Sequence, residues 1–199
     1  MEKRSINFEL RAKPESRTIF GTATVFNSSY DMGWYDEEMS PESLNEADMK
    51  DVVALFNHDM NMVLARTSSG TLKLNVTGNA MEYEFEAPNT TLGNDLLEMV
   101  KRGDVYQSSF AFTVEAEDWQ EKSGMKPKRV IRSIKKVYDV SPVTYPANPD
   151  TMVAKRSYEA TKEIDKDLQT IIDISVKSEI NIQNELRRNA LHLLNLKTK

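Results

Sequence analysis

Met81, Tyr83 and Phe85 alternate with Glu82, Glu84 and Glu86, a period of two that places three large apolar side chains on one face of a strand and three carboxylates on the other. Such a segment is stable only with a core on one side and water on the other, so the chain must build a half-buried sheet. The same period recurs upstream. Ile6, Phe8 and Leu10 share one face, and after a Lys13-Pro14-Glu15-Ser16 turn the run from Arg17 to Phe26 offers Ile19, Phe20, Val25 and Phe26 around Gly21.

Further elements follow from local signals. Asn27 to Gly33 reads as loop, and Ser40-Pro41-Glu42 reads as an N-cap with proline at the first helical position, opening a short helix to about Lys50. Val52 to Phe56 is an apolar run too short for a typical helix, so 51 to 58 is expected as a buried strand. Ser68-Ser69-Gly70 separates strands over 62–67 and 71–76 and favours a hairpin between them. Leu92, Leu96, Met99 and Val100 recur at helical spacing before Gly103, which suits a C-terminal stop. Strands are expected over 104–116 and 129–140 around a charged turn at 122–128. The prolines of Ser141 to Pro149 predict an irregular segment closing the domain.

Beyond Tyr158 the pattern changes to intervals of four: Ile164, Leu168, Ile172, Val176 and Ile180, then Leu186, Ala190 and Leu194, with charged residues between and no glycine or proline. This predicts an amphipathic helical tail whose stripe packs on its own domain or docks on another protein. Two parts are therefore expected, a strand-rich body over 1–157 and a tail over 158–199.

Composition removes several classes of chemistry. A formal charge of −5 and a pI near 5.2 carry no polyanion-binding signal, so neither nucleic acid nor an anionic membrane is expected as a partner. No apolar run reaches the roughly 18 residues that span a bilayer, and MEKRSINFELRAKPE lacks the apolar segment of a secretory signal. The absence of cysteine removes disulfides, thiol nucleophiles and thiolate metal sites. Two histidines far apart in sequence make a zinc site improbable, and no cofactor or metal is expected. Serine is left as the nucleophile if the chain is an enzyme.

The candidate constellation is Tyr106-Gln107-Ser108-Ser109-Phe110-Ala111-Phe112 with Leu55-Phe56-Asn57-His58-Asp59. Strand alternation sends Phe110, Phe112 and Val114 toward a core and Ser109, Ala111 and Thr113 to the other face, where small side chains leave room for a substrate. Ser108 shares the face of Phe110, so Ser109 is the better nucleophile. His58, outside the tail, is the one histidine available as its base. A Ser-Ser pair in a strand is commonly only a hydrogen-bonding pair, and a lone histidine at a strand end is commonly a capping residue. Asn57 and Asp59 are expected on the strand face opposite His58, so the orienting acid must come from elsewhere. Asp139 has the best local context, with Asp104 second.

At these residues the chain resembles the HK97-type phage prohead proteases, serine proteases that mature viral capsids. The resemblance runs through Arg17-Thr18-Ile19-Phe20-Gly21-Thr22-Ala23-Thr24-Val25-Phe26, Leu55-Phe56-Asn57-His58-Asp59 and Val63-Leu64-Ala65-Arg66-Thr67-Ser68-Ser69-Gly70-Thr71-Leu72. It continues through Gly103-Asp104-Val105, Ser109-Phe110-Ala111-Phe112 with Trp119, and Tyr138-Asp139-Val140-Ser141-Pro142-Val143-Thr144-Tyr145-Pro146-Ala147-Asn148-Pro149. It covers about residues 6 to 157.

The resemblance implies an α+β fold related to the herpesvirus assembly protease, a mostly antiparallel β-barrel with surrounding helices, here with the helical tail added. It implies His58, Ser109 and Asp139 as catalytic residues, although relatives commonly carry Glu at the position of Asp139 and Gly at those of Ala65 and Ala111. It further implies a serine endopeptidase acting in the bacterial host cytoplasm inside the assembling prohead. Its partners would be the major capsid protein and scaffold, with self-cleavage between Ala154 and Lys166 and a homodimer as companion expectations. The alternative is a non-enzymatic capsid assembly or scaffold-binding protein with a protease-like body.

Overall fold

The architecture is that of a computed structural model, which describes residues 1–6, 10–13, 15–145 and 151–197. The chain forms strands β1 (Glu2–Ile6), β2 (Arg11–Ala12), β3 (Thr18–Val25), β4 (Ser29–Asp31), β5 (Asp36–Met39), β6 (Val53–Leu55), β7 (Val63–Arg66), β8 (Leu72–Val76), β9 (Ala80–Glu86), β10 (Gln107–Gln120) and β11 (Lys128–Val143). Helix α1 spans Thr91–Arg102 and α2 spans Thr151–Lys197. It separates into two units, Met1–Thr151 and Met152–Lys199.

The long β10–β11 hairpin is the spine of the first unit. β1 pairs antiparallel with the outer edge of β10, while the other edge of β11 takes β5 at Lys128–Ile131 and β6 at Asp139–Val140, both in parallel. With β4 on β5 and β7 on β6 this makes a seven-stranded sheet. The remaining strands form a four-stranded antiparallel sheet in the order β2-β3-β9-β8. Ile19, Met81, Tyr83 and Phe85 from the smaller sheet share one core with Phe110, Phe112, Ile134 and Val140 from the larger. The alternation of β9 with its three glutamates is thus satisfied as the period of two predicts. Gly21 permits the close approach within the small sheet, since a Cβ there would lie 2.7 Å from the Tyr83 phenol.

The mixed α+β class holds, but the expected barrel does not close: among the described residues the strands form two sheets. The reason lies partly at Ser68-Ser69-Gly70. β7 pairs with β6 and β8 pairs with β9, so this turn carries the chain from one sheet to the other instead of making the expected hairpin. The expected helix from Ser40 is only a 3-10 turn over Pro41–Leu44, and the Ser40 side chain makes no capping bond. Proline sets the starting φ, but the segment has no apolar stripe to sustain a longer helix.

β4 arises within the expected loop by pairing with β5, a strand that has no signal in the sequence, because Glu37 of β5 turns inward to buried arginines that a polar reading of the segment does not reveal. β11 continues through Pro142 to Val143, three residues into the segment expected to be irregular, and residues 146–149 of that segment lie outside the described ones, as does Phe8. α1 follows expectation, with the Thr90 hydroxyl accepting from Gly93 N–H and Gly103 closing the helix at φ 82°. In the second unit α2 presents Ile164, Leu168, Ile171, Ile172 and Val176 about half exposed or more. No helix among the described residues is long and apolar enough to cross a membrane.

Candidate active site

Ser109 lies in β10 with neighbours on both sides, Ser5 of β1 and Ser141 of β11 being its register partners. Ser108 and Ser109 face opposite ways, as alternation requires. Ser108 Oγ is in the core, 2.9 Å from the Tyr83 hydroxyl, whose ionisation burial pushes well above the ordinary tyrosine range. Ser109 Oγ is on the other face, 2.7 Å from His58 Nε2, and is itself fully buried.

His58 is presented by an uncommon backbone. The strand ends at Leu55, and Asn57 and His58 both adopt left-handed φ, 54° and 57°. This conformation costs an L-residue about 1–2 kcal/mol, although Asn and His tolerate it better than most. The end of β11 holds it in place. Asn57 N–H donates to the Pro142 carbonyl at 2.9 Å, Asn57 Oδ1 accepts from Thr144 N–H at 2.9 Å, and Asn57 Nδ2 donates to Thr144 Oγ1 at 3.2 Å. The expectation that Asn57 and Asp59 continue a strand opposite His58 is therefore incorrect. Asp59 instead accepts from Asn61 within its own turn.

Asp139 supplies the third side chain. Its Oδ1 lies 2.6 Å from His58 Nδ1, and both side chains are nearly buried, at 7 % and 5 % exposure. β11 aims it there because Asp139 is the partner of Ala111, two residues from Ser109 along the same face of β10. Asp104, the second candidate, is at the C-terminal end of α1 in an exposed ion pair with Arg102 and takes no part.

Two neighbours of the site were not expected from sequence. Ser141 Oγ donates to Asp139 Oδ1 at 2.6 Å, and Ser109 Oγ is within donating distance, 2.9 Å, of the Arg4 carbonyl. The first had a legible signal, since residues two apart in a strand share a face, but the prolines argued against a strand there. The second is a tertiary contact of β1 with no local signal.

The Ser109 hydroxyl has one proton and two acceptors within reach. If His58 Nδ1–H donates to Asp139 and Nε2 carries no proton, the hydroxyl must choose between Nε2 and the Arg4 carbonyl. If both ring nitrogens are protonated, Nε2–H donates to Ser109 Oγ and the hydroxyl is left for Arg4, so every contact is satisfied. The arrangement can thus accept a proton from Ser109, hold it as an imidazolium beside a carboxylate, and return it to a leaving group.

β1 is anchored on the opposite face. Arg4 binds Glu37 and Glu2, and Arg129 binds Glu2, Glu37 and Glu117, with Arg129 only 1 % exposed. Burial by itself would lower the basicity of both arginines, but the surrounding carboxylates raise it above the ordinary range. Beside His58 an open cleft of about 510 Å³ has Val53, Leu55, Met60, Val63 and Tyr138 on its apolar walls and Lys3, Arg66 and Lys136 around them. Larger clefts lie over the small sheet, away from the three side chains. Among the described residues no group of three His, Asp or Glu side chains is placed to hold a metal.

No curated protein and no solved structure is significantly similar to the chain. The family model described as caudovirus prohead serine protease matches residues 6–164, a span that includes His58, Ser109 and Asp139. By the extent of that match, the chain belongs to the caudovirus prohead serine protease family.

Proposed function

We propose that the chain is a serine endopeptidase of capsid maturation in which Ser109 is the nucleophile, His58 the general base and then acid, and Asp139 the residue that orients the imidazole. The observation that carries this reading is the unbroken chain from Ser109 Oγ to His58 Nε2 at 2.7 Å and from His58 Nδ1 to Asp139 Oδ1 at 2.6 Å, in a member of a serine protease family. Ser109 Oγ attacks a peptide carbonyl while Nε2 takes its proton, and the imidazolium is stabilised by Asp139. The proton then passes to the leaving amine. Water, deprotonated by His58, hydrolyses the acyl-enzyme, and backbone N–H groups stabilise the oxyanion of each tetrahedral intermediate.

The substrate we infer is scaffold, either a segment of the major capsid protein or a separate protein, cut within the assembling prohead in the bacterial host. Self-cleavage within 154–166 would separate the protease body from the tail over 158–199, and a homodimer is the assembly we infer for the body. The test is co-expression with the cognate capsid protein. Wild type is expected to process it, Ser109→Ala and His58→Ala are expected to leave it intact, and processing that survives Ser109→Ala would reject the nucleophile.

A further inference from the structure

We propose that Ser141 is a positioning residue of this site, acting through Asp139; the inference rests on reading Ser109, His58 and Asp139 as the catalytic relay. Ser141 is fully buried, and its hydroxyl donates to Asp139 Oδ1 at 2.6 Å, the same oxygen that lies 2.6 Å from His58 Nδ1. An O–H···O⁻ contact of this length is a strong, charge-assisted bond.

The carboxylate of Asp139 can rotate about its Cβ–Cγ bond, a broad torsion with little intrinsic preference. Two donors converging on one oxygen remove that freedom. Ser141 approaches from Asp139's own strand and His58 from the Asn57 turn, so the carboxylate is held with Oδ1 toward the imidazole even while His58 changes its protonation state. The placement is built by sheet geometry. Asp139 and Ser141 are two apart in β11 and share the face that carries Ser109, and Ser141 is the register partner of Ser109 itself. A hydroxyl at 141 thus holds the acid of the relay from directly across the strand that bears the nucleophile.

The test uses the full-length protein and a fluorophosphonate probe, whose phosphorus is attacked by Ser109 Oγ with loss of fluoride while the serine proton passes to His58. Saturation kinetics separate probe binding from the chemical step. Ser141→Ala is expected to slow the chemical step about tenfold, the effect of one lost hydrogen bond to a charged group, with probe affinity unchanged. Ser141→Thr, which keeps the hydroxyl, is expected to restore the rate, and Ser141→Cys, close in size but a weak donor, is expected to behave like Ser141→Ala.

The proton NMR signal of His58 Nδ1–H is expected far downfield in wild type, given the 2.6 Å contact with Asp139, and upfield of that position in the Ala and Cys variants. In an Asp139→Asn background Ser141→Ala should add almost nothing, because the two residues act as one unit. A folded Ser141→Ala or Ser141→Cys that reacts at the wild-type rate, or a loss that persists undiminished beside Asp139→Asn, overturns the role of Ser141 alone. If the wild-type protein is not labelled, or is labelled elsewhere than Ser109, the relay itself falls and this proposal with it.

Discussion

Ser108 and Ser109 are adjacent in β10 and serve opposite sides of the same sheet: Ser108 Oγ meets the Tyr83 hydroxyl at 2.9 Å in the core, and Ser109 Oγ meets His58 Nε2 at 2.7 Å on the other face. Ser108→Ala leaves the buried Tyr83 hydroxyl without that partner, at a cost of about 1–3 kcal/mol. Its melting temperature is expected to fall while capsid processing continues. Loss of processing in a folded Ser108→Ala would mean that the two serines are not separable in this way.

Asn57 is expected to matter to the base more than to the fold. Asn57→Ala removes both side-chain bonds to Thr144 and places a less tolerant residue at φ 54°. Asn57→Gly removes the bonds but relieves the conformation. Both should slow processing, with stability lower in the Ala variant by about 1 kcal/mol. Equal melting temperatures for the two variants would show that the backbone conformation costs nothing there.

The buried charges around Arg129 make stability depend on acid. Arg129→Met leaves Glu2, Glu37 and Glu117 with less positive charge among them, and breaking a buried pair in this way costs about 3–5 kcal/mol. Glu2 ionises below its ordinary value of 4.5: burial opposes ionisation, but the hydrogen bond and charge of Arg129 and the charge of Arg4 outweigh it. Its folded-state value is therefore lower than its unfolded one. The stabilisation is complete above the unfolded value and is lost as pH falls through the folded one. Urea unfolding from pH 7 downward is expected to show the loss setting in near pH 4.5, and Glu2→Gln should flatten it. An unchanged slope in Glu2→Gln would place the acid sensitivity elsewhere.

The exposed apolar stripe of α2 leads us to expect that the tail serves recruitment. A chain ending after Ser157 should react with the fluorophosphonate as the full chain does but be poorly incorporated into proheads. Equal incorporation, measured by quantifying the protease in purified particles, would exclude this role.

Much of the site is legible in local pattern. Alternation in β10 places Ser109 and Ser108 on different faces, and the scarcity of histidine singles out His58. Asp139 stands alone as an acid between Val137 and Val143. Ser141 was missed because proline at 142 argued for irregular chain, whereas β11 tolerates it and uses its carbonyl to receive Asn57 N–H. β5, on which β4 pairs, was missed because one of its two inward residues is a glutamate, and an inward glutamate is intelligible only once Arg4 and Arg129 are in view.

The sequence by itself determined most of the strands and the two α-helices, and which residue types are available to carry the chemistry, because period, capping and residue type act over a few neighbours. Only the tertiary structure decided that the strands form two sheets, that β7 and β8 part company, and that β1 lays the Arg4 carbonyl against Ser109. It also decided which oxygen of Asp139 meets the imidazole. Those outcomes depend on pairings between residues far apart in the chain, where register, burial and the convergence of several donors on one acceptor leave no mark in any single stretch of sequence.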